Sequence, residues 1–425
     1  MSTRTGHDPL AALRVPAFRA YAASRVAAGV AMTMVQATIA WQVYEISGSA
    51  LQLGMIGLVR FVPALLASLL GGAVADTYNR RTVILLSQIV PLLATVVLVG
   101  ATAAGTMTLP VLYAIVLITG LASAFENPAR QALLPIIVPR EVFTNAITVN
   151  STLQSLAFMS GPAIGGIILA VFGVAEAYAL HGVLVAASMV ALLAVSASHV
   201  STGARVSIAM IREGVVFVGR APVLLGAMSL DMFAVLFGGA KALLPVYAVD
   251  ILQVGEVGYG ILSASLEAGA MLMALVLLLM RPITRTGRVL LLSVAAFGVA
   301  TILFGLSRNF AFSVFAYMLV GMADQLSVVM RHATIQLATP DELRGRVSAV
   351  NSVFISASNQ LGMVESGFVA ALTSATFAVV SGGFGCLAIV ALIAWRVPSL
   401  RRYRIDTTTP APRPAGEPAT AEAAS

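Results

Sequence analysis

Runs of about twenty apolar residues, the length of helix that crosses roughly 30 Å of hydrocarbon, recur along this chain with short connections between them. They lie near 20–44, 53–75, 82–102, 109–128, 142–172, 177–197, 221–249, 257–280, 289–306, 310–330, 347–372 and 376–395. Lipid must be the solvent for much of the chain, because 59% of the 425 residues are hydrophobic and only 10% are charged. Mean hydropathy is +0.95. A soluble domain of this length needs far more charge to cover its surface.

The basic residues sort by connection. Arg4, Arg14 and Arg19 precede the first span. The even-numbered connections hold Arg80 and Arg81, Arg130 and Arg140, then Arg205, Arg212 and Arg220, then Arg281, Arg285 and Arg288, and finally Arg331, Arg344 and Arg346. Arg396, Arg401, Arg402, Arg404 and Arg413 follow the last span, and the odd-numbered connections hold only Arg308. Under the positive-inside rule both termini are expected in the cytoplasm, the span count is even, and the chain is a multi-pass protein of a bacterial inner membrane. The net charge of +7 is spent on topology rather than on a nucleic-acid groove. No cleavable signal peptide is expected, since the first apolar run is too long for one and suits a signal anchor. The lone cysteine, Cys386, permits no internal disulfide and suggests no metal cluster.

The segment from Gly120 to Gly166 recurs 201 positions later. Gly120 matches Gly321, Arg130 matches Arg331, Pro139 matches Pro340, Glu141 matches Glu342, Asn150 matches Asn351, and Gly161 and Gly166 match Gly362 and Gly367. Shared Arg, Pro, Glu and Asn in one register make chance a poor account. The expected fold is an all-α membrane protein of twelve transmembrane helices in two six-helix, pseudo-symmetric halves, with a site near the bilayer midplane between them. The divisions fall at 1–19 (cytoplasmic N-terminal segment), 20–197 (first half), 198–220 (cytoplasmic central loop), 221–404 (second half) and 405–425 (a disordered Pro/Ala/Thr-rich tail).

After the second span the chain reads Gly71-Gly72-Ala73-Val74-Ala75-Asp76-Thr77-Tyr78-Asn79-Arg80-Arg81. This resembles the loop 2–3 signature of the major facilitator superfamily, with Gly72, Asp76, Arg80 and Arg81 in the motif's positions and Thr77 and Asn79 departing from it. The resemblance implies a conformational latch in which the acid meets a helix N-terminus. In the fifth span, Gly161-Pro162-Ala163-Ile164-Gly165-Gly166 is similar to the core of the drug/proton antiporter motif, in which Pro162 and Gly161, Gly165 and Gly166 permit a bend and close helix contact. Pro16-Ala17-Phe18-Arg19, Asn127-Pro128-Ala129-Arg130-Gln131-Ala132-Leu133-Leu134-Pro135, Leu243-Leu244-Pro245 and Thr339-Pro340-Asp341-Glu342-Leu343-Arg344-Gly345-Arg346-Val347 resemble the branch of that superfamily containing the bacterial enterobactin exporter and transmembrane secretion effectors. The similarity runs to about Arg404 and implies efflux of a siderophore or drug-like compound.

Ionisable groups at bilayer depth cost about 3 kcal/mol or more unless sheltered, which makes each a candidate for function. Asp231 lies 11 residues beyond Arg220, about 16 Å deep at 1.5 Å per residue, and Glu267 lies 10 residues beyond Val257 from the other side. These two acids are expected to couple protons or recognise substrate. Glu126 and Asp324 lie on corresponding helices and could serve as gate or structural links with Arg130 and Arg331. Arg60 could neutralise an anionic substrate or a cavity acid. Lys241 and Glu365, nearer the far end, suit packing or gating. Gln36, Asn150, Gln154, Asn359 and Gln360 are costly toward lipid and are expected to face a cavity or another helix. Spans 3, 6, 9 and 12 carry no Asp, Glu, Lys or Arg within their bounds, and span 6 holds only His181, as the outer helices of the superfamily's fold would.

These features point to a secondary active transporter exporting a small organic molecule by proton antiport, working as a monomer in the lipid bilayer without cofactor or metal. A facilitator or importer of a small solute is the alternative, and a non-transporting receptor or scaffold is a remote one. An enzyme is not expected, since the chain has no HExxH, no P-loop and no GxSxG.

Overall fold

The computed structural model describes residues 11–66, 74, 77–195, 208–280 and 283–404. Twelve helices follow one another as α1 (Pro16–Ser47), α2 (Ala50–Leu66), α3 (Arg80–Ala103), α4 (Leu109–Ile137), α5 (Phe143–Val171) and α6 (Val174–Leu193). After the connection come α7 (Pro222–Phe237), α8 (Gly255–Leu279), α9 (Thr286–Leu306), α10 (Phe310–Ala338), α11 (Arg344–Leu372) and α12 (Ala375–Arg396). Nine of the twelve, and α7 together with the turns that follow it to Ile251, are long and apolar enough to cross a membrane. The described part of α2 is shorter, and α11 is more polar because Asn351, Asn359, Gln360 and Glu365 lie along it. We call the face carrying the start of α1, the end of α12 and the helix at Ile208–Arg220 the terminal face, and the opposite one the far face.

Within each half the helices pack in matching pairs. Gly120 of α4 seats against Pro63 of α2, and its repeat partner Gly321 of α10 seats against the Leu266 backbone of α8. Between the halves, α2 runs along α11 and α5 along α8. Helices α3, α6, α9 and α12 lie outside, turning Leu93, Val96, Val190, Leu292 and Phe384 outward. The absence of charge within these spans follows from that exposure to lipid. His181 of α6 and Cys386 of α12 are buried structural groups, bonded to Thr95 Oγ1 at 2.7 Å and donating to the Ala234 carbonyl at 3.2 Å.

Two boundaries differ from the sequence reading in the same way. Helix α4 runs to Ile137 and α10 to Ala338, about two turns beyond the predicted ends at 128 and 330. The extensions carry Arg130 and Arg331 indoors, where they are 1% and 3% exposed. These arginines, and Arg80 at 5%, are therefore interior groups rather than loop charges. Within the 198–220 connection, Ile208–Arg220 form an amphipathic helix tied to α11 by an Arg346–Glu213 ion pair of 2.5 Å.

Candidate functional site

Helix α7 stops in mid-bundle. Its last residue, Phe237, is followed by Gly238 and Gly239, and no side chain fits at either: a Cβ at Gly238 would lie 2.4 Å from the Phe297 ring, and one at Gly239 would lie 2.3 Å from Ser366 Oγ. The chain continues as a 3-10 turn (Ala240–Leu243), a single α turn holding Pro245, and a π turn (Tyr247–Ile251). This break swings Lys241 into a cavity of about 410 Å³ between the halves.

The cavity wall is built from both halves. Thr33 and Gln36 of α1, Arg60 of α2, Phe158 and Pro162 of α5 form one side. Tyr259 and Glu267 of α8, Tyr317 and Asp324 of α10, and Asn359 and Gln360 of α11 form the other. Four charged groups thus share one chamber. Lys241 Nζ stands 4.0 Å from Glu267 Oε1, with side chains 65% and 29% exposed, a loose contact that water screens. Arg60 has no ion-pair partner among the described residues, and the Tyr259 phenol is its ionisable neighbour. Asp324 likewise lacks an ion-pair partner among them while sitting in the combined field of Asp231, Arg331, Glu267 and Lys241. The Gln360 side-chain carbonyl is buried with no donor, which leaves an acceptor on the wall.

Asp231 does not line the cavity. It is ion-paired with Arg331 at 2.8 Å, both side chains nearly inaccessible, and Arg331 also donates to Asn351 Oδ1 at 3.4 Å. Glu126 is likewise spent inside the first half. Its Oε1 accepts from Arg130 Nε at 2.7 Å and from Gln88 Nε2 at 3.0 Å, while Arg130 donates to Ser24 and Ser188. The two arginines are repeat equivalents, but their acids are not. The first half carries its acid on α4 (Glu126) with a serine on α1 (Ser24). The second half carries its acid on α7 (Asp231), and α10 has Ser327 where α4 has Glu126. The expected link between Asp324 and Arg331 is replaced by this arrangement, which leaves Asp324 to the cavity.

Toward the far face the halves close on each other. Tyr44 Oη donates to Asp250 Oδ2 of the π turn, Tyr259 Oη donates to the Ala37 carbonyl at 3.0 Å, and the Trp41 and Tyr259 rings lie 5.4 Å apart. Gly166 of α5 meets Gly260 of α8 backbone to backbone, and Gly367 of α11 meets Gly54 of α2 in the pseudo-equivalent place. The buried core is continuous across the halves here, including Trp41, Tyr44, Leu53, Tyr247 and Tyr259. Near the terminal face, Phe18, Tyr21, Leu133 and Ala146 form a core of the first half alone.

Of the predicted residues, Arg60, Glu267, Asp324, Gln36, Asn359, Gln360 and Pro162 meet in the cavity. Asp231, Glu126, Asn150 and Gln154 are not among its lining groups; Asn150 Oδ1 is buried without a partner. Gly161 and Gly165 pack on α1 against Thr33 and Met34. Gly72 and Asp76 lie outside the described residues; Arg80 is buried, and Arg81 donates to the Leu193 carbonyl at 2.7 Å. Tyr259, Tyr317 and the Tyr44–Asp250 link were not singled out from sequence. The Gly238-Gly239 pair followed by Pro245 is the signal that could have moved Lys241 inward.

A family model described as transmembrane secretion effector matches residues 7–420. Enterobactin exporters of Escherichia coli O1:K1 and O139:H28 are 25% identical over 393 residues, covering 92% of this chain and 94% of theirs. Among solved structures, a peptide transporter in complex with sulfate superposes with a TM-score of 0.72 at 9% identity, covering 91% of this chain and 95% of that one. The nucleoside transporter NupG gives 0.66 at 13%, covering 91% and 99%. A bacterial homologue of the human lysosomal transporter Spinster, inward-facing and unoccupied, gives 0.65 at 14%, covering 91% and 95%. At these identities the solved structures establish the fold alone.

Proposed function

Because this chain belongs to the transmembrane secretion effector family of the major facilitator superfamily, we propose that it exports a small organic molecule, of siderophore or drug-like class, in exchange for protons. The arginine distribution supports a cytoplasmic terminal face in a bacterial inner membrane. With the far side sealed and the first half's terminal-face core separate, the conformation described is then the one open to the cytoplasm. Substrate enters the chamber from that side; breaking the Tyr44–Asp250 and Tyr259–Ala37 contacts and closing the terminal face would release it outward.

The observation that carries the proton reading is Asp324, a cavity carboxylate whose natural partner, Arg331, is held by Asp231. A carboxylate without a fixed cation in a chamber that changes its exposure can take up a proton on one side and release it on the other. Glu267, loosely matched with Lys241, is the second titrating candidate. Arg60, on the opposite wall and without an ion-pair partner among the described residues, supplies a bidentate donor for an anionic group of the substrate. Asp231, Glu126 and their arginines hold the helices in register. The enterobactin exporters, covered almost end to end, support the export direction.

The test is substrate-dependent proton flux in proteoliposomes, with enterobactin and cationic drugs as probes and Asp324→Asn beside the natural chain. Transport that ignores collapse of the proton gradient would make the protein a facilitator instead.

A further inference from the structure

A second, smaller pocket of about 80 Å³ opens on the terminal face, lined by Arg285, Arg288, Arg401, Arg402, Tyr403 and Arg404. Its arginines come from two segments far apart in sequence. Arg285 and Arg288 open α9, and the others follow α12, Arg401 and Arg402 in a short helical extension, Pro398–Arg402, with Tyr403 and Arg404 just after it. The extension is fixed on α9 by fit rather than by charge. Leu400 is fully buried, Gly287 N–H donates to the Tyr403 carbonyl at 3.3 Å, and a Cβ at Gly287 would lie 1.8 Å from the Leu400 carbonyl oxygen. Only glycine lets the two backbones approach this closely.

The consequence is electrostatic. Five arginines, all exposed to solvent, line one small space, no carboxylate lines it, and none of the five has an acidic partner among the described residues. That concentration of one sign of charge favours an anion beside it, more so at low salt. The pocket also sits at the start of α9, whose N-cap residue Arg285 supplies no side-chain cap, so the helix dipole adds positive potential. The chemistry is that of a phosphate site, since fork-shaped guanidiniums bind tetrahedral oxyanions bidentately.

The position selects the source of the phosphate. Helices α9 and α12 are outer helices whose outward residues, Leu292, Val299 and Phe384 among them, are apolar and exposed. Trp395, 70% exposed, ends α12 just ahead of the pocket with the Arg396 guanidinium 4.9 Å from its ring centre. An exposed tryptophan at a helix end marks the headgroup layer of a bilayer. We infer that this arginine pocket is a binding site for the headgroup phosphate of an anionic phospholipid in the terminal-face leaflet, distinct from the transport cavity and independent of what that cavity carries.

The experiment is native mass spectrometry of the full-length protein in detergent, titrated separately with phosphatidylglycerol, phosphatidylcholine and inorganic phosphate. Arg401, Arg402 and Arg404 are changed together to Gln; they follow the last span, so insertion topology is not at stake. The expected result is at least a tenfold weakening of phosphatidylglycerol binding in this variant. A smaller weakening is expected when the three become Lys, which keep the charge but lose the fork, and retention when Arg14, Arg19 and Arg140 are changed to Gln instead. Phosphatidylcholine is expected to bind at least tenfold more weakly to the natural chain. Undiminished phosphatidylglycerol binding in the Gln variant, or an equal loss in the Arg14/Arg19/Arg140 variant, overturns the proposal. Inorganic phosphate binding as tightly as the lipid overturns it too, by making the site one for a soluble anion. The phosphatidylglycerol–phosphatidylcholine contrast needs no variant, and stands if the Gln protein fails to fold.

Discussion

Asp231 and Arg331 form a buried ion pair of 2.8 Å outside the lining of the transport cavity. Burying two charges is recovered only when both are present and well bonded, and removing one leaves the other stranded. Asp231→Asn is therefore expected to destabilise the protein by about 3–5 kcal/mol, visible as a lower unfolding temperature in detergent. Replacing both residues with apolar ones of similar size is expected to cost much less. Equal losses in the single and double variants would show that the pair is not what holds α7 to α10.

Asp324 differs in having no fixed cation. Asp324→Asn is expected to leave the fold and substrate binding intact while lowering proton-driven transport at least tenfold. Substrate exchange across a membrane without a gradient is expected to persist, because exchange needs no net proton movement. Comparing gradient-driven transport with counterflow in the same liposomes separates the two.

On the opposite wall, Arg60→Gln removes the unpaired guanidinium from the chamber. Losing a charge-assisted hydrogen bond is worth about 1.5–3 kcal/mol, or roughly 10- to 150-fold in affinity for an anionic substrate. Cationic compounds are expected to bind no worse. Equilibrium binding of anionic and cationic members of one compound series checks the contrast, and equal effects on both would remove Arg60 from recognition.

The far-side closure rests on few polar contacts. Tyr44→Phe deletes the hydrogen bond to Asp250 and is expected to shift the population toward the state open on the far side. With Cys386 buried and unreactive, a single cysteine placed at Leu53 can report that shift as faster labelling from the far side. An unchanged labelling rate would mean that the aromatic and glycine contacts suffice.

The features written locally in the sequence were legible in it. Apolar length gave the spans, arginine placement gave their alternation, and the 201-residue register gave the two halves. What the sequence could not supply was which distant groups meet. Asp231 and Asp324 are both acids well inside apolar runs; only the packing of α7 on α10 decides that the first is paired with Arg331 and the second is left in the cavity. Arg130 and Arg331 read as loop charges because they fall beyond a proline or at the end of an apolar run. Yet each finds partners on other helices, which lets its own helix continue inward. Lys241, which reads as a packing or gating group near the far end of a continuous seventh span, lines the cavity because that helix is broken after Phe237.

The paired glycine contacts, Gly166 on Gly260 and Gly54 on Gly367, bear on the thermodynamics of switching. Because backbone meets backbone, the seam is tight although almost no apolar side chain crosses it at these points. Parting it hydrates little hydrocarbon, and the heat-capacity change of a transition scales with the apolar surface it exposes. These stretches of the interface therefore add little temperature dependence to the balance between the two access states. That dependence falls instead on the apolar core that crosses the same seam, with the Trp41–Tyr259 ring contact and the buried Tyr44, Leu53 and Tyr247 within it.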